Sequence, residues 1–382
     1  MNKTADVVII GGGIIGLSTA FQLARHNYGK IVVLEKDLFL GTGATAKCAG
    51  GIRAQFTTRI NIEMSMKSEE MLANFEKEND YPVVFEQNGY MFLIFDDRQL
   101  AEFTKSVELQ RSLGLKVEWL DIPRINEIAP PVRTDDVIKA TFCHDDGIAD
   151  PSDMINGYST VARRLGVNIE FETEVTGFNI EAGEIKSVIT TKGDISTPLV
   201  INAAGPYAGV IGKMAGAEVP VQPVRRQIVT TGPLDYIPHT FPMVVDVNSG
   251  LYFHKESPGL LLGWADPEVK PGFDESVDPD YNDMIIMKAL ERVPRLETAE
   301  MAKSWAGLYE TTPDHHAIID FTEEVKGFFV CSGFSGHGLM HAPAAGLVAA
   351  EKICGKKTTI DISPLSLKRF AHGALTEETN VI

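Results

Sequence analysis

Hydrophobic and polar positions repeat along this chain with two periods, and the changes of period divide it into segments. Near the start, four apolar residues at 7–10 precede three glycines, and residues 14–25 then place apolar side chains at helical spacing. A second apolar run at 31–34 ends at Glu35, so this stretch predicts a strand–helix–strand unit. Helical spacing recurs in five further segments, at 62–77, 100–113, 151–165, 281–293 and 342–353.

Shorter runs rich in β-branched and aromatic residues predict the strands. They lie at 83–95, 168–178, 185–190, 199–202 and 328–331, and residues 227–263 are typical of an antiparallel sheet. The pair Asn88–Gly89 interrupts the first of these runs and predicts a hairpin turn there.

Charge and cysteine usage narrow the class of protein. The 382 residues carry 35 basic and 52 acidic side chains, a net charge of −17, which disfavours nucleic acid as a partner. Cys48, Cys143, Cys331 and Cys354 form no CxxC pair, which favours a reducing, cytoplasmic setting over a disulfide framework or a zinc site. No apolar run is long enough to predict a membrane span, and the first residues do not predict a signal peptide.

The glycine turn at 11–16 predicts a dinucleotide site. Gly11 permits a tight turn after the strand, Gly13 lets the backbone approach a pyrophosphate, and Gly16 lets the helix lie close to the sheet. Glu35 ends the second strand, where a carboxylate accepts hydrogen bonds from ribose hydroxyls and repels the 2′-phosphate of NADP. The turn by itself does not distinguish NAD from FAD.

The order of the segments predicts the fold class. Nucleotide-type segments at both ends enclose sheet-type segments, so we expect an α/β plus α+β chain: a Rossmann-like dinucleotide-binding domain with an interleaved antiparallel-sheet substrate domain. We assign residues 1–82, 144–222 and 320–382 to the first domain. Residues 83–143 and 223–319 are assigned to the second.

Three later motifs carry a resemblance to a known family. They are the loop at 41–53, reading GTGATAKCAGGIR, the strand end at 202–208, reading NAAGPYA, and the turn at 333–340, reading GFSGHGLM. With the first glycine turn they resemble the D-amino-acid-oxidase-like flavoproteins over nearly the whole length. The branch that the chain resembles most contains the β subunits of heterotetrameric sarcosine oxidase and of dye-linked L-proline dehydrogenase.

The resemblance implies that FAD is the cofactor. Gly307 stands where monomeric sarcosine oxidases carry the cysteine that bonds to the flavin, so we expect non-covalent FAD. The helix predicted after the turn at 333–338, with Pro343 in its first turn, would aim its positive end at the flavin. The predicted cofactor-binding residues are Gly11, Gly13, Ile14, Ile15, Gly16, Glu35, Lys36, Gly43, Ala44, Thr45, Cys48, Gly50, Gly51, Val175, Ala203, Ala204, Gly205, Gly333, Ser335, Gly336, His337, Gly338, Leu339 and Met340.

The family's reaction is transfer of a hydride to FAD from a carbon next to an amine, which gives an imine. An amino-acid substrate needs a cation for its carboxylate, and the fork of an arginine binds both oxygens. Arg53 matches the arginine that has this role in the sarcosine oxidase branch, and Arg225 and Arg226 are weaker alternatives. The predicted walls of the pocket are Tyr252, Trp264, Tyr309 and His337, although Tyr252 and Trp264 also suit a sheet core.

Several residues depart from the family's pattern. Met340 and Tyr309 stand where other members carry a carboxylate-binding lysine or arginine. Arg53 is therefore the main candidate for binding the substrate carboxylate. Leu261 replaces the oxygen-activating lysine of the sarcosine oxidases, which favours a dehydrogenase that passes electrons to another acceptor. No histidine spacing predicts a metal site.

Four functions therefore stand as hypotheses. The first is an FAD-dependent dehydrogenase of L-proline, hydroxyproline or sarcosine, and the second is an oxidase of the same substrates that yields hydrogen peroxide. The third is a catalytic β-type subunit that transfers electrons to FMN at an interface with partner subunits. The fourth, a tRNA-modifying flavoprotein, is disfavoured by the acidic charge.

Overall fold

The computed structural model describes residues 3–266, 268–373 and 375–380. The helices in these residues are α1 Ile14–Arg25, α2 Arg59–Ala73, α3 Phe75–Asn79, α4 Asp97–Ser112, α5 Ile122–Ile128, α6 Pro151–Arg164, α7 Ala208–Ala215, α8 Pro279–Arg292, α9 Gly338–Ile353 and α10 Lys368–His372. Short 3-10 helices lie at Gly205–Tyr207, Pro294–Thr298 and Ser363–Leu365.

The strands follow the same numbering along the chain. They are β1 Lys3–Thr4, β2 Val7–Ile10, β3 Ile31–Leu34, β4 Gly51–Ile52, β5 Phe85–Glu86, β6 Tyr90–Ile94, β7 Val117–Leu120, β8 Lys139–Cys143, β9 Gly147–Ala149, β10 Asn168–Glu170, β11 Val175–Glu181, β12 Glu184–Thr190, β13 Ile195–Ser196, β14 Val200–Asn202, β15 Gln222–Thr231, β16 Met243–Asp246, β17 Leu251–Glu256, β18 Gly259–Trp264, β19 Met301–Thr311, β20 Ile318–Phe321 and β21 Phe328–Ser332.

A six-stranded sheet forms the nucleotide-binding half of the fold. Its order is β10-β3-β2-β14-β21-β20, with parallel pairing everywhere except at the edge pair β20–β21. Helices α1, α6 and α9 cover one face, and α7 with a four-stranded sheet (β1-β13-β12-β11) covers the other. Because both faces are covered, β2, β3 and β14 are apolar at every or nearly every position, as a buried parallel sheet requires.

An eight-stranded sheet forms the second half. Its order is β19-β15-β18-β17-β16-β6-β8-β7, and its pairs are antiparallel apart from β16 with β6. Helices α5 and α8 pack on one face, and the opposite face carries Tyr90, Ile228, Tyr252 and Leu261. The predicted fold class, a Rossmann-like parallel sheet with an interleaved antiparallel sheet, is confirmed.

The hairpin predicted at Asn88–Gly89 is wrong. Strand β5 pairs with β9 in a three-stranded sheet (β4-β9-β5), whereas β6 pairs with β8 and β16 in the eight-stranded sheet. Gly89, at φ +87°, turns the chain from one sheet into the other. The strand predicted over 168–178 is divided for a similar reason, since β10 extends the six-stranded sheet and β11 pairs with β12. Distant partners, rather than the local turn signal, decide where these segments lie.

Helix α9 begins four residues earlier than predicted. It starts at Gly338, so Pro343 lies within its second turn and not in its first. A proline there removes one helical hydrogen bond, and the close packing of α9 on α1 and α2 offsets that loss. The early start brings the N-terminus of α9 to Gly338 and Leu339, two residues expected to belong to the glycine-rich turn.

The contact between α1 and α9 predicts a stability effect at Gly346. A Cβ on this residue would lie 2.3 Å from the Oγ and 2.7 Å from the carbonyl oxygen of Ser18, so the helices must separate to accept it. We expect Gly346→Ala to lower the free energy of unfolding by about 1–3 kcal/mol despite the better helix propensity of alanine. Urea denaturation measures the change.

The matched control is Gly272→Ala, where an added Cβ meets nothing within 4 Å. We expect this variant to stay within about 0.5 kcal/mol of the parent. Equal stability of the two variants would contradict close packing at Gly346.

Candidate active site

The carboxyl ends of β2, β3 and β14 meet at one edge of the six-stranded sheet, and the first glycine turn lies there. Gly11 has φ +111°, and a Cβ on it would lie 2.3 Å from the carbonyl oxygen of Ala203. A Cβ on Gly16 would lie 2.0 Å from the carbonyl oxygen of Gly11. Both positions therefore admit only glycine, and the first turn of α1 is held against the edge of the sheet.

Glu35 closes the same edge from the end of β3. Its Oε2 accepts a hydrogen bond from the Gly12 amide (3.0 Å), and its Oε1 accepts one from the Asp37 amide (2.9 Å). Burial raises the pKa of this carboxyl above its usual value, although the two amide bonds act in the opposite direction. The sheet edge thus presents a fixed carboxylate beside the helix N-terminus.

A long cavity of about 330 Å³ runs from this edge toward the eight-stranded sheet. Of the predicted cofactor-binding residues, those that line it are Gly11, Gly13, Ile14, Ile15, Glu35, Lys36, Gly43, Ala44, Thr45, Cys48, Val175, Ala203, Ala204, Gly205, Gly336, Gly338 and Leu339. Its other walls include residues that sequence reasoning missed, among them Thr173, Tyr207, Met214, Arg226, Glu275 and Glu310. These arrive from segments far apart in the chain, with no local motif to mark them.

Gly16, Gly333 and Ser335 lie behind the wall of the cavity rather than on it. The Gly333 amide donates to Oε2 of Glu310 (2.9 Å), and the Ser335 amide donates to the carbonyl oxygen of Glu310 (3.0 Å). The Ser335 Oγ accepts from the Thr312 amide (3.1 Å). Gly333 and Ser335 thus fasten the turn to β19 with their polar groups, and their predicted part in cofactor binding stays a prediction.

Glu310 is the functional candidate that sequence reasoning missed. It lines the long cavity, and burial raises the pKa of its carboxyl to about 7, opposed by the amides of Gly333 and Phe334. The signal was present, since Glu310 is an acid within a strand whose neighbouring positions 306–308 are small or apolar.

A second, smaller space of about 50 Å³ adjoins the long cavity. It is lined by Cys48, Ala49, Gly50, Gly51, Arg53, Tyr90, Met243, Tyr252, Tyr309, Gly336, His337, Leu339 and Met340. The four residues that the sequence predicts to act on the substrate, Arg53, Tyr252, Tyr309 and His337, meet here. Gly50, Gly51 and Met340 from the predicted cofactor set line the same space. Tyr252 and Tyr309 border both spaces, so the two spaces are neighbours.

Arg53 is the cation of the small space. Its side chain is only 1% exposed, its Nη1 donates to the carbonyl oxygen of Gln55 (2.7 Å), and its guanidinium carbon lies 3.9 Å from the centre of the Phe56 ring. Burial lowers the pKa of Arg53, but a guanidinium keeps its proton at neutral pH. A buried cation beside a cavity is a binding group for an anion.

Tyr252, Tyr309 and His337, which line the small space together with Arg53, are neutral. Burial raises the pKa of Tyr252 and of Tyr309, so both phenols hold their protons at neutral pH. Burial, with a further effect of the Arg53 charge, lowers the pKa of His337 well below its usual value, so its imidazole is uncharged. The Nε2 atom of His337 is buried without a hydrogen-bond partner among the described residues, and it borders the small space.

Trp264 and Arg225 lie outside both spaces. Trp264 donates from Nε1 to the carbonyl oxygen of Ser249 (2.9 Å) and packs on Tyr281, so its predicted place in the pocket wall is wrong. Arg225 pairs with Asp274 (3.2 Å) and Asp278 (3.4 Å) at the surface.

Leu261 on β18 and Arg226 on β15 have different surroundings, although the two strands pair with each other. Leu261 packs in the apolar cluster with Ile228 and Tyr252. Arg226 lines the long cavity, with its guanidinium carbon 5.2 Å from the centre of the Tyr309 ring.

The long cavity fits a dinucleotide. The first turn of α1 carries no acidic residue, and its N-cap, Gly13, has no side chain to block the amides from a pyrophosphate. Glu35 lies where ribose hydroxyls bind, and the far end opens to the aromatic walls beside the small space. Among the described residues, no group of three or more His, Cys, Asp or Glu side chains is placed to hold a metal ion.

Comparisons with known proteins agree with this geometry. The model of a family described as FAD-dependent oxidoreductase, DAO, matches residues 6–352. The chain is 30% identical to FAD-dependent oxidoreductase domain-containing protein 1 of Xenopus laevis, over 100% of this chain and 85% of that protein. It is 28% identical to sarcosine oxidase subunit beta of an Arthrobacter species, over 98% and 93% of the two chains.

A solved structure gives the same result. The crystal structure of L-proline dehydrogenase from P. horikoshii superposes with a TM-score of 0.93 at 32% identity, covering 98% of this chain and 100% of that one.

Glu310 gives the site a pH-dependent effect on stability. A carboxyl with a pKa of about 7 in the fold and about 4.5 when unfolded stabilises the fold fully below pH 4.5, and this contribution is lost as the pH rises through 7. Glu310→Gln stays neutral at every pH. We expect the variant to gain on the order of 3 kcal/mol relative to the parent between pH 5 and pH 8, measured by urea denaturation of FAD-free protein.

The control is Glu108→Gln, which removes an exposed carboxyl on α4. Its stability relative to the parent should not change with pH. If the free energy of unfolding of Glu310→Gln relative to the parent is also independent of pH, the raised pKa of Glu310 is contradicted.

Proposed function

The chain belongs to the DAO family of FAD-dependent oxidoreductases, and on that premise we propose that it oxidises a small secondary amine or amino acid at the carbon next to the nitrogen. L-Proline, hydroxyproline and sarcosine are the leading substrates. The observation that carries the proposal is the buried Arg53 guanidinium, which borders a small space that opens onto the FAD cavity. A cation in this position suits the carboxylate of an amino acid.

FAD, held in the long cavity, would supply the acceptor for the hydride and its electron pair, and the substrate would leave as an iminium whose C=N bond uses the nitrogen lone pair. The residues of the chain orient the substrate. Arg53 binds the carboxylate, and the phenols of Tyr252 and Tyr309 beside it stay uncharged because burial raises the pKa of both. His337 is neutral and offers one donor and one acceptor.

The nitrogen must be uncharged to give up a hydride from its neighbouring carbon. The small space favours the neutral amine because it is enclosed and already holds the positive charge of Arg53. Since neither phenol is ionised and the imidazole is a weak base, we propose that the pocket selects the neutral amine from solution, without a dedicated general base.

Two features support a small substrate. The space beside Arg53 measures about 50 Å³, which favours a compact amino acid over one with a long side chain. The relatives named for sarcosine and for L-proline cover nearly the whole chain. The aromatic faces of Tyr252 and Tyr309 suit the ring of proline or an N-methyl group.

The two leading functions, dehydrogenase and oxidase, differ in the electron acceptor that reoxidises the flavin. Leu261 is buried among apolar side chains, which supports a dehydrogenase that gives its electrons to an acceptor other than oxygen. Arg226, however, places a cation on the wall of the FAD cavity and is the observation that favours an oxidase. A β-type subunit in a larger complex is the third proposal; no described residue supports an FMN site.

We propose that FAD is held without a covalent bond. Gly307 lines the cavity, and even a Cβ there would lie 2.7 Å from the Cβ of Lys47, so a linking side chain has no room. We expect acid precipitation to leave all of the flavin in the supernatant, measured by absorbance. Yellow protein in the pellet after washing would contradict this expectation.

The division of labour between the two halves is also a proposal. Residues 1–82, 144–222 and 320–382 would hold FAD, and residues 83–143 and 223–319 would supply the substrate side. The six-stranded and eight-stranded sheets support it. The Arg226, Glu275 and Tyr309 side of the FAD cavity, however, comes from the second set.

We further propose a reducing, cytoplasmic setting. Cys48, Cys143, Cys331 and Cys354 are all free thiols, which supports it. Among the described residues, no helix has the length and apolar character needed to cross a membrane.

Anaerobic bleaching of the bound flavin tests the function. We expect L-proline, hydroxyproline or sarcosine to bleach it within a panel of amino acids and N-methyl amines, and admitting air afterwards separates slow from rapid reoxidation. Arg53→Lys keeps the charge but loses the fork, so it should weaken binding of the carboxylated substrate about 100-fold with FAD retained. The flavin spectrum gives both quantities.

The control is Arg226→Lys, which changes the second arginine of the site. It should leave the half-saturating concentration of substrate within about threefold of the parent, which is below 1 kcal/mol. If no compound bleaches the flavin, the amine function is wrong. If Arg226→Lys has the larger effect on binding, the carboxylate belongs to Arg226.

A further inference from the structure

Arg53 is held by a segment that lies 327 residues further along the chain. Its Nη2 donates to the carbonyl oxygen of Asn380 (2.5 Å), and its Nη1 donates to that of Gln55 (2.7 Å). The side-chain amide of Asn380 donates to the same Gln55 oxygen (2.6 Å), which closes a small network. Two of the five N–H donors of the guanidinium thus point at backbone carbonyls, and donors remain for a ligand in the small space.

Glu378 anchors this segment. Its carboxylate is fully buried and accepts from the amide and hydroxyl of Thr57, from the amide and hydroxyl of Thr58, and from the side-chain amide of Asn61, at 2.6–3.1 Å. Thr58 is the N-cap residue of α2, so the carboxylate also lies at the positive end of that helix. Burial acts to raise the pKa of Glu378, but these hydrogen bonds hold it below its usual value.

The anchored stretch is the loop that carries Arg53. Residues 53–58 join β4 to α2 without regular secondary structure of their own, so their conformation depends on tertiary contacts. Glu378 binds the end of this loop at Thr57 and Thr58, and Asn380 binds its beginning at Arg53 and Gln55.

We propose that residues 378–380 position the guanidinium of Arg53 for the substrate carboxylate, with Glu378 as the anchor. The inference rests on the proposed function of Arg53. A free arginine has many rotamers, and a fork–carboxylate pair requires one orientation, so fixing the fork in advance strengthens binding. Glu378 and Asn380 are positioning residues, since neither borders the small space.

If Glu378 is replaced by an uncharged residue, a positioning role and a purely electrostatic role predict opposite changes in the affinity for an anionic ligand. Loss of a negative charge near Arg53 would, by charge alone, strengthen binding of an anion. Loss of the anchor would release the loop and weaken binding. The sign of the change therefore separates the two roles.

The experiment uses the FAD-loaded full chain with two probes, methoxyacetate and tetrahydrofuran-2-carboxylate, the oxygen analogues of sarcosine and proline. Perturbation of the flavin absorption spectrum gives their Kd values. We expect Glu378→Ala to raise the Kd for the probe that the parent binds by about tenfold, which corresponds to about 1.4 kcal/mol, with FAD content unchanged. Glu377→Ala removes a neighbouring exposed charge and should stay within about twofold of the parent.

Asn380→Ala is the second variant, for the case that Glu378→Ala does not fold. It removes only the bond to the Gln55 carbonyl and should raise the Kd by about threefold. If Glu378→Ala folds and binds FAD but its Kd is unchanged or lower, the positioning inference is wrong and the proposed function still stands. If Glu378→Ala does not fold, an unchanged Kd in Asn380→Ala has the same meaning. A parent protein that binds neither probe and is bleached by no amine overturns the proposed function, and the inference with it.

Discussion

The close approach of backbone to backbone at the edge of the six-stranded sheet is the constraint on which the rest of the site depends. The glycine turn touches the end of β14 at Ala203, and α1 touches the turn at Gly16. Any side chain at these contacts would push α1 away from the sheet. Because the contacts are so short, the amides of α1 and the carboxylate of Glu35 face one elongated cavity, and that cavity fixes where a dinucleotide lies.

The second half of the molecule completes the site by covering the far end of this cavity. The face of the eight-stranded sheet opposite α5 and α8 carries Tyr252, and β19 carries Tyr309 and Glu310. Gly263 makes room for Tyr252, since a Cβ there would lie 2.1 Å from the ring. The two tyrosines border both the FAD cavity and the small space, so they form part of the boundary between the two.

Burying a charge costs free energy, and in this site hydrogen bonds offset that cost for the buried charges of Arg53 and Glu378. Arg53 is bound by two backbone carbonyls and an aromatic ring, and Glu378 is bound by six donors. Glu310, with fewer donors, instead has a pKa raised to about 7 by burial. The charged side chain that lines the small space is Arg53, which would bind the carboxylate of an amino-acid substrate.

Local pattern alone determined the glycine turn, the acid at the end of β3 and the approximate positions of the longer helices, which are α1, α2, α4, α6, α8 and α9. These features follow from spacing and backbone conformation within a few residues, which the amino-acid sequence displays directly. The resemblance further along the chain added FAD and Arg53.

The tertiary structure decided the rest. It placed β5 and β6 in different sheets, moved the start of α9 to Gly338, excluded Trp264 from the pocket and brought Glu310 and Glu378 to the site. Each of these outcomes depends on contacts between residues that are distant along the chain. Such contacts leave no local periodicity, because the free energy that favours them comes from burial and hydrogen bonding that exist only once the chain is folded.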